Sequence, residues 1–585
     1  MTDASRRRDP SIAGLLGLGL FLLFWFGRSR SFGAGDSAQH VLCALTWGVP
    51  HPPGYPLQTA LGWLWSRPWS DPGAAVNGLS GLFAAAAAAV LYLLLRRDGC
   101  RRAAALAAAG FMALSPLFWY YSLIAEVRAL NDLLALAAAY FALDWSRSGR
   151  GRSLSYFAAA FGLGVSHHPT FPLLVPAFAV WISARRPAAR TAARAAAIAL
   201  AALVAPYALL RLRLAWSAPS YNLFETSDWR GIANLFLRTG LGGPLRMAAG
   251  NGTPGLEVFD PGALRAQLAH FASALWEHAG PAALALAAAG AAALWKRDRR
   301  GLLAWLLWFS ASAIPPITLA SFQMAGHDPD YVRAVVARFY LLPMIAVFVL
   351  AGLGAESLLS RTRPAFGWLL ASAACVLPLV LHPLRLAHEN PQLDAARALV
   401  RDSRPGDLVV LGSDDSVFAA LDLELVRGEG GGRVFLTPTV FALPAYARSL
   451  ARRYPDLRVP PAGPAGLTTD WAAWRKLNSG RAVLFEPALL DAARSLYPRS
   501  VPQGVLIRVL PEGGRSDPAE DARRFLAAPE TAEVSRWNVR PWTQEIYLLK
   551  ARRGMAAWLA SRLDPSRDRE LLRAYARLLS DLGAP

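Results

Sequence analysis

Charge is scarce in this sequence: charged residues make up 17% of 585, against roughly 25% in an ordinary soluble globular chain. Acidic groups are the scarcer kind, 41 against 61 basic ones, so the formal net charge is +20. The excess is not pooled into a basic surface. Arginines occur as short runs between apolar stretches, which excludes nucleic acid as the expected partner and points to membrane topology. Cysteine is almost missing. Cys43, Cys100 and Cys375 lie in or beside apolar segments, without metal-ligand spacing, so neither a disulfide framework nor a cysteine metal centre is expected. No clear internal repeat is visible.

What fills the sequence is hydrophobic: 54% of the residues. A helix rises 1.5 Å per residue and must satisfy its own backbone in lipid, so about 20 apolar residues are needed to cross a bilayer. Segments of that kind lie at 11–27, 75–95, 103–120, 126–144, 154–167, 169–184, 193–214, 269–295, 301–321, 338–358 and 366–384. That predicts about eleven spans. The short pair 154–167 and 169–184 meets at His167-His168-Pro169 and reads as a broken or re-entrant hairpin. Arg6-Arg7-Arg8 ahead of an apolar run resembles a signal peptide, but no clean small-residue cleavage site follows, so a retained first span is expected. Basic clusters at Arg6–Arg8, Arg96–Arg102, Arg147–Arg152, Arg185–Arg194, Lys296–Arg300 and Arg361–Arg363 recur after every second span. By the positive-inside rule the N-terminus is then cytoplasmic, and the loops 28–74, 215–268 and 322–337 lie on the other face with everything after about 390.

Three regions are therefore expected: a membrane domain over 1–389, a soluble α/β domain over 390–516 and a helical tail over 517–585. Leu408-Val409-Val410-Leu411-Gly412 has the form of a buried strand, and Ser413-Asp414-Asp415 after it reads as a polar turn. Further strands are expected at Arg433–Leu436, Ala482–Phe485 and Gly504–Val509. The tail carries Ala, Leu, Arg and Glu at helical spacing. Asn251-Gly252-Thr253 is a glycosylation sequon by pattern alone.

The most informative stretch is Gly35-Asp36-Ser37-Ala38-Gln39-His40, followed after ten residues by His51-Pro52-Pro53-Gly54-Tyr55-Pro56-Leu57. Adjacent prolines stop a helix, and Gly permits a tight turn. Residues 37–47 fit a short helix ended by Gly48. On its own, Asp36 with Gln39 three positions later has the form of a capping box.

The G-D-S-x-Q string with H-P-P-G-Y-P-L at this spacing resembles the signature of a membrane family catalogued as domain of unknown function 2723, whose eukaryotic relatives include transmembrane protein 260. Ser115-Pro116-Leu117-Phe118-Trp119 and Ala125-Glu126-Val127-Arg128-Ala129-Leu130-Asn131 are similar to further segments of that family, with Arg128 where Tyr is usual. Gly162-Leu163 with His167-His168 also agrees, and Tyr207 with Arg211, and Arg338-Phe339-Tyr340, agree more weakly. The resemblance covers the chain to about 390. It implies a C-type (GT-C) glycosyltransferase fold: a polytopic helical bundle acting on a polyprenyl-phosphate sugar, with an acidic residue of the first outer loop as catalyst.

On that resemblance Asp36 is the expected general base, with inversion at the sugar, and Gln39, His40, His51 and Tyr55 form a first-loop or acceptor site. Arg211, Arg213, Arg338, His167, His168, Glu126, Arg128 and Asn131 are candidates for the donor phosphate or sugar. Each has a plainer reading: a span-end Arg snorkels to the interface, Glu126 and Arg128 form a structural ion pair, and one His caps a broken helix. Gln39 stands where the family usually has Glu, which removes a carboxylate. No cofactor is implied with certainty, and a divalent metal is left open. Expected partners are a polyprenyl-phosphate sugar (mannose or another hexose), a protein or lipid acceptor and membrane lipids, at the outer face of a bacterial inner membrane. A lipid- or glycan-directed transferase, a transporter and a non-catalytic scaffold are the competing readings. A transporter explains less, because the polar residues gather on one face rather than at the midplane.

Overall fold

The computed structural model describes residues 3–33, 35–239, 261–323, 336–361, 363–381, 391–412, 414–463, 466–489, 500–510, 514, 517–527 and 546–581. The sequon at Asn251 lies outside them, as do Ser413 and the side chain of Cys375. The chain forms two compact units. The first comprises Met1–Arg30, Pro50–Ala218 and Thr226–His388, the second Ser31–Val49, Pro219–Glu225 and Glu389–Pro585.

The first unit is a bundle of helices, and every segment expected to span the membrane is helical. Among the described residues six helices are long and apolar enough to cross: Arg8–Gly27, Pro72–Arg97, Ala189–Trp216, Leu264–Arg297, Arg299–Thr318 and Arg338–Leu359. A seventh forms if Arg102–Ala113 and Pro116–Leu123, bent by 65° at Ser115-Pro116, count as one. The bend follows from proline, which has no N–H to donate back into the preceding turn. The other four expected segments fall short for physical reasons. Arg128–Ser148 carries Arg128, Asp132, Asp144 and Arg147, Gly151–His167 has 17 residues, Phe171–Ile182 is part 3₁₀, and Pro364–Leu381 is described only in part as an apolar helix. The chain is an integral membrane protein, and its apolar side chains Leu15, Leu18, Leu212, Trp276, Leu303 and Leu369 are exposed on these helices, as lipid contact requires.

Small residues set the closest helix approach. A Cβ on Gly290 would lie 1.9 Å from the Leu350 carbonyl oxygen, and one on Gly354 1.8 Å from that of Leu286, so Pro261–Arg297 and Leu341–Leu359 pack backbone to backbone. Direction is fixed by contacts along Pro72–Arg97. Its C-terminal Arg96 pairs with Asp9 at 2.9 Å, while its N-terminal Asn77 donates to the Ser29 carbonyl and accepts from Ala125 N–H. The bundle thus has two distinct polar ends.

The second unit is built on a five-stranded sheet, β1 Leu408–Val410, β2 Val434–Leu436, β3 Val483–Phe485, β4 Ser500–Gln503 and β5 Leu506–Val509, in the order β2-β1-β3-β5-β4. β1 pairs in parallel with β2 and β3, and β5 pairs antiparallel with β3 and β4. The one strand expected over 504–509 is instead the second arm of a hairpin. Gly504, at φ 59°, makes the turn, and the Val505 N–H beyond it donates to Asp402. The tail helices Pro518–Ala527, Ile546–Ser561 and Arg569–Asp581 bury Ala522, Phe525, Met555, Leu559 and Tyr575 against Ile507 of β5. Helix Ser37–Thr46 of the first loop belongs to this unit and packs on Asp414–Leu425.

Candidate functional site

Two sets of expected residues are each brought together by the fold, one in each unit. In the bundle, the chain after Leu123 leaves its helix and runs extended before Arg128–Ser148 begins. Asn77 Oδ1 accepts from Ala125 N–H at 2.8 Å and Ser80 Oγ from Glu126 N–H at 3.4 Å, so two polar side chains of an apolar span hold this connection. Sequence reading passed over both, although a buried polar residue in a span is itself a signal. Glu126 is 2% exposed and pairs with Arg338 at 3.8 Å. The Glu126–Arg128 ion pair offered as a plainer reading does not form among the described residues. Arg128 lies instead over the Phe339 ring, 4.5 Å from its centroid.

His167 ends helix Gly151–His167, and its Nε2 meets the Val127 carbonyl oxygen at 2.9 Å, so Nε2 carries the proton. At His168 the Thr170 N–H donates to Nδ1 at 3.2 Å. Nδ1 is therefore an acceptor, and the Thr170 hydroxyl, 2.7 Å away, donates to it as well. The helix break expected at His167-His168-Pro169 is present. Tyr55 packs its ring 6.0 Å from His167 and 6.1 Å from His168, and His51 stands edge-on to Tyr55 at 5.2 Å.

The turn carrying His51 and Tyr55 is pinned from three sides. Tyr207 Oη lies 2.9 Å from the Pro53 carbonyl oxygen and 3.1 Å from that of Ser166. Gly54 N–H donates to the His51 carbonyl. Gly54 has φ 89°, and a Cβ there would lie 2.5 Å from Leu235 Cδ2, so no other residue fits.

Arg128, Asn131, Asp132, Thr170, Ser312 and Arg338 line one pocket in the bundle, together with Phe339. Asp132, which sequence reading did not select, is 3% exposed, and Asn131 and Arg128 are 2% and 6% exposed. Among the described residues Arg128 Nε, Asn131 Oδ1 and Asp132 Oδ1 are buried without a hydrogen-bond partner. Of the other arginine candidates, Arg213 donates to the carbonyl and hydroxyl oxygens of Ser217 at the end of its own helix, and neither Arg211 nor Arg213 lines this pocket.

In the second unit, Asp36 is half-buried at the N-terminus of Ser37–Thr46 and its side chain makes no capping hydrogen bond. The capping-box reading is thereby corrected: Gln39 turns away from the helix end and donates from Nε2 to the Tyr221 hydroxyl at 2.8 Å. Tyr221 is fully buried, edge-on to Phe418 of helix Asp414–Leu425. Arg427 pairs with Asp422 at 2.7 Å and reaches Ser31 Oγ at 3.4 Å. His40 is 4% exposed within this packing. The first-loop helix ends at Trp47, left-handed at φ 46°, and not at Gly48. Gly48 is required for a different reason, since a Cβ there would lie 2.7 Å from the Tyr221 carbonyl oxygen.

The C-terminal ends of β1 and β3, where open sheets bind ligands, are occupied from within. Glu486 accepts from Gly412 N–H at 2.8 Å and from the Ser416 hydroxyl. Among the described residues no group of three or more His, Cys, Asp or Glu is placed to hold a metal ion.

The fold is a membrane helical bundle with polar residues buried at both ends, and a separate α/β unit. Residues 36–191, which begin at the first-loop motif, match the family profile described as the N-terminal domain of protein O-mannosyl-transferase TMEM260. It is 29% identical over 346 residues to mouse protein O-mannosyl-transferase TMEM260, covering 57% of this chain and 48% of that protein. The Dictyostelium discoideum protein of the same name is 26% identical over 261 residues, covering 41% of this chain and 32% of that one. The chain thus matches about half or less of the length of these relatives. The crystal structure of ArnT from Cupriavidus metallidurans bound to undecaprenyl phosphate superposes with a TM-score of 0.52 at 11% identity, over 86% of this chain and 99% of that one. Its apo form gives 0.53 at 10% identity, over 85% and 97%.

Proposed function

We propose that this protein is a membrane glycosyltransferase that moves a sugar, mannose or another hexose, from a polyprenyl phosphate to a hydroxyl acceptor, a protein Ser or Thr, on the extracytoplasmic face. The observation that carries the reading is Arg128 with Arg338 in the bundle pocket, where Arg128 stands at the first position of a helix with its Nε buried and unmet among the described residues. A helix N-terminus already favours an anion, and a second guanidinium beside the first adds to the pull on a phosphate. Arg suits a phosphate through its planar fork of N–H groups. The TMEM260 relatives are named protein O-mannosyl-transferases, and ArnT, of the same fold, holds undecaprenyl phosphate.

In this reaction the acceptor oxygen attacks the anomeric carbon as its proton passes to a base. The bond from that carbon to the phosphate oxygen breaks, and the electron pair leaves on the phosphate, where Arg128 and Arg338 stabilise it. We assign the base to Asp36, supported by the first-loop motif and by the absence of a capping role. Direct displacement inverts the sugar. Gln39 in place of the family Glu is compatible, because its contact with Tyr221 needs a hydrogen bond and not a charge.

The test compares envelope proteins and glycolipids by mass spectrometry with and without the protein, and with Asp36→Asn. A hexose increment on proteins that disappears in both cases is the expected result. An increment lost only from glycolipids moves the acceptor to lipid, and no lost increment on either class ends the transferase reading.

A further inference from the structure

The bundle pocket presents more acceptors than a phosphate needs. Asn131 Oδ1 and Asp132 Oδ1 are buried and unpartnered among the described residues, on consecutive positions of one helix. The Thr170 hydroxyl spends its proton on His168 Nδ1, and the Ser312 hydroxyl donates to the Trp308 carbonyl at 2.6 Å, so both turn lone pairs outward. All four side chains line the pocket that also holds Arg128 and Arg338. An acceptor-rich wall calls for donors, and a cationic donor is disfavoured beside two guanidinium groups. Neutral hydroxyls fit both requirements. Leaving buried acceptors unmet costs about 1 to 3 kcal/mol each, so their retention side by side asks for a ligand that meets them.

We propose that Asp132, with Asn131, binds the sugar hydroxyls of the lipid-linked donor and so sets which sugar is accepted, while Arg128 and Arg338 take the phosphate common to all such lipids. This rests on the glycosyltransferase reading and adds a specificity determinant to it. Asp132 is a binding residue here and takes no proton from the acceptor.

The test uses the purified full chain in lipid nanodiscs and measures binding of undecaprenyl phosphate and of its mannosyl, glucosyl and galactosyl derivatives. Wild type binds one of the sugar lipids more tightly than the bare phosphate lipid. Asp132→Asn lowers affinity for that sugar lipid by about ten- to hundred-fold and leaves the bare lipid within about two-fold, the loss expected when a charge-assisted hydrogen bond goes. Asn131→Leu, as a second variant, shows the same selective loss. Retained binding of bare lipid phosphate shows that each variant is folded. Should either variant lose both ligands alike while its thermal unfolding matches wild type, or lose neither, the assignment falls. Wild type that binds the bare lipid without preferring any sugar also overturns it, with the phosphate site intact. Wild type that binds neither ligand removes the glycosyltransferase reading itself.

Discussion

The two ends of the membrane bundle treat buried charge in opposite ways. At one end four acids meet arginine: Asp9 with Arg96 and Arg102, Asp144 with Arg97, Asp98 with Arg147 and Arg297, and Glu356 with Arg101. Asp144 Oδ2 also accepts from the Ser153 hydroxyl, and the Ser148 hydroxyl donates to the Asp144 backbone carbonyl at 2.7 Å. At the other end Glu126 and Arg338 stand 3.8 Å apart, while Arg128, Asn131 and Asp132 each keep a buried polar atom unmet among the described residues. Desolvating a charge is costly, and a protein that only needed stability would satisfy or remove such groups. The first end is a network of acid–arginine pairs in which only arginine Nε atoms, those of Arg96 and Arg97, are unmet among the described residues. The second leaves a carboxylate and an amide oxygen unmet in the pocket proposed to take the donor.

That contrast can be broken most directly at Arg128 and Arg338. Replacing either by Ala is expected to weaken undecaprenyl phosphate binding by about ten- to hundred-fold, from the loss of a charge-assisted contact; Arg128→Ala does so without lowering the unfolding temperature, while Arg338→Ala also takes the arginine partner from the buried Glu126 and lowers it. Unfolding at lower temperature with unchanged lipid binding would make this end structural too. Asp9→Ala is the converse test. It strands Arg96 and Arg102 and is expected to cost roughly 3 kcal/mol of stability while lipid affinity per folded molecule stays unchanged. A selective loss of binding in Asp9→Ala would erase the distinction between the ends.

A smaller effect sharpens the role of the first-loop helix. Gln39→Leu removes the bond to the hydroxyl of the fully buried Tyr221 and is expected to cost about 1 to 2 kcal/mol, read as faster hydrogen exchange over 37–46. Gln39→Glu, which accepts from the same hydroxyl, should restore protection. Equal exchange in all three proteins would show that this bond does not hold the loop. Smallest of all, Arg397→Ala removes a surface pair with Glu429, both about half exposed, and is expected to change stability by less than about 1 kcal/mol in chemical unfolding.

Much of this could be read in advance because it is local. The apolar segments, the proline bend at Ser115-Pro116 and the break after His167 each follow from composition within a few residues, and the strands Leu408–Val410, Val434–Leu436 and Val483–Phe485 fall where β-rich runs stand. Even the candidates Glu126, Arg128 and Asn131 were visible, since polar groups beside an apolar helix stand out. The hairpin at Gly504 was not, because its turn is set by Asp402, about a hundred positions earlier in the chain.

By itself the sequence determined that the protein spans a membrane, that its C-terminal part is α/β, and that the first-loop motif is TMEM260-like. These depend on hydrophobic run length, on strand periodicity and on residues close in sequence. Only the tertiary structure decided which polar residues share a pocket. It paired Glu126 with Arg338, brought Thr170 and Ser312 to Asp132, and tied Gln39 to Tyr221, separations of 38 to 212 positions. It also placed the helix that follows Asp36 in the second unit, against Asp414–Leu425, where its buried face is covered.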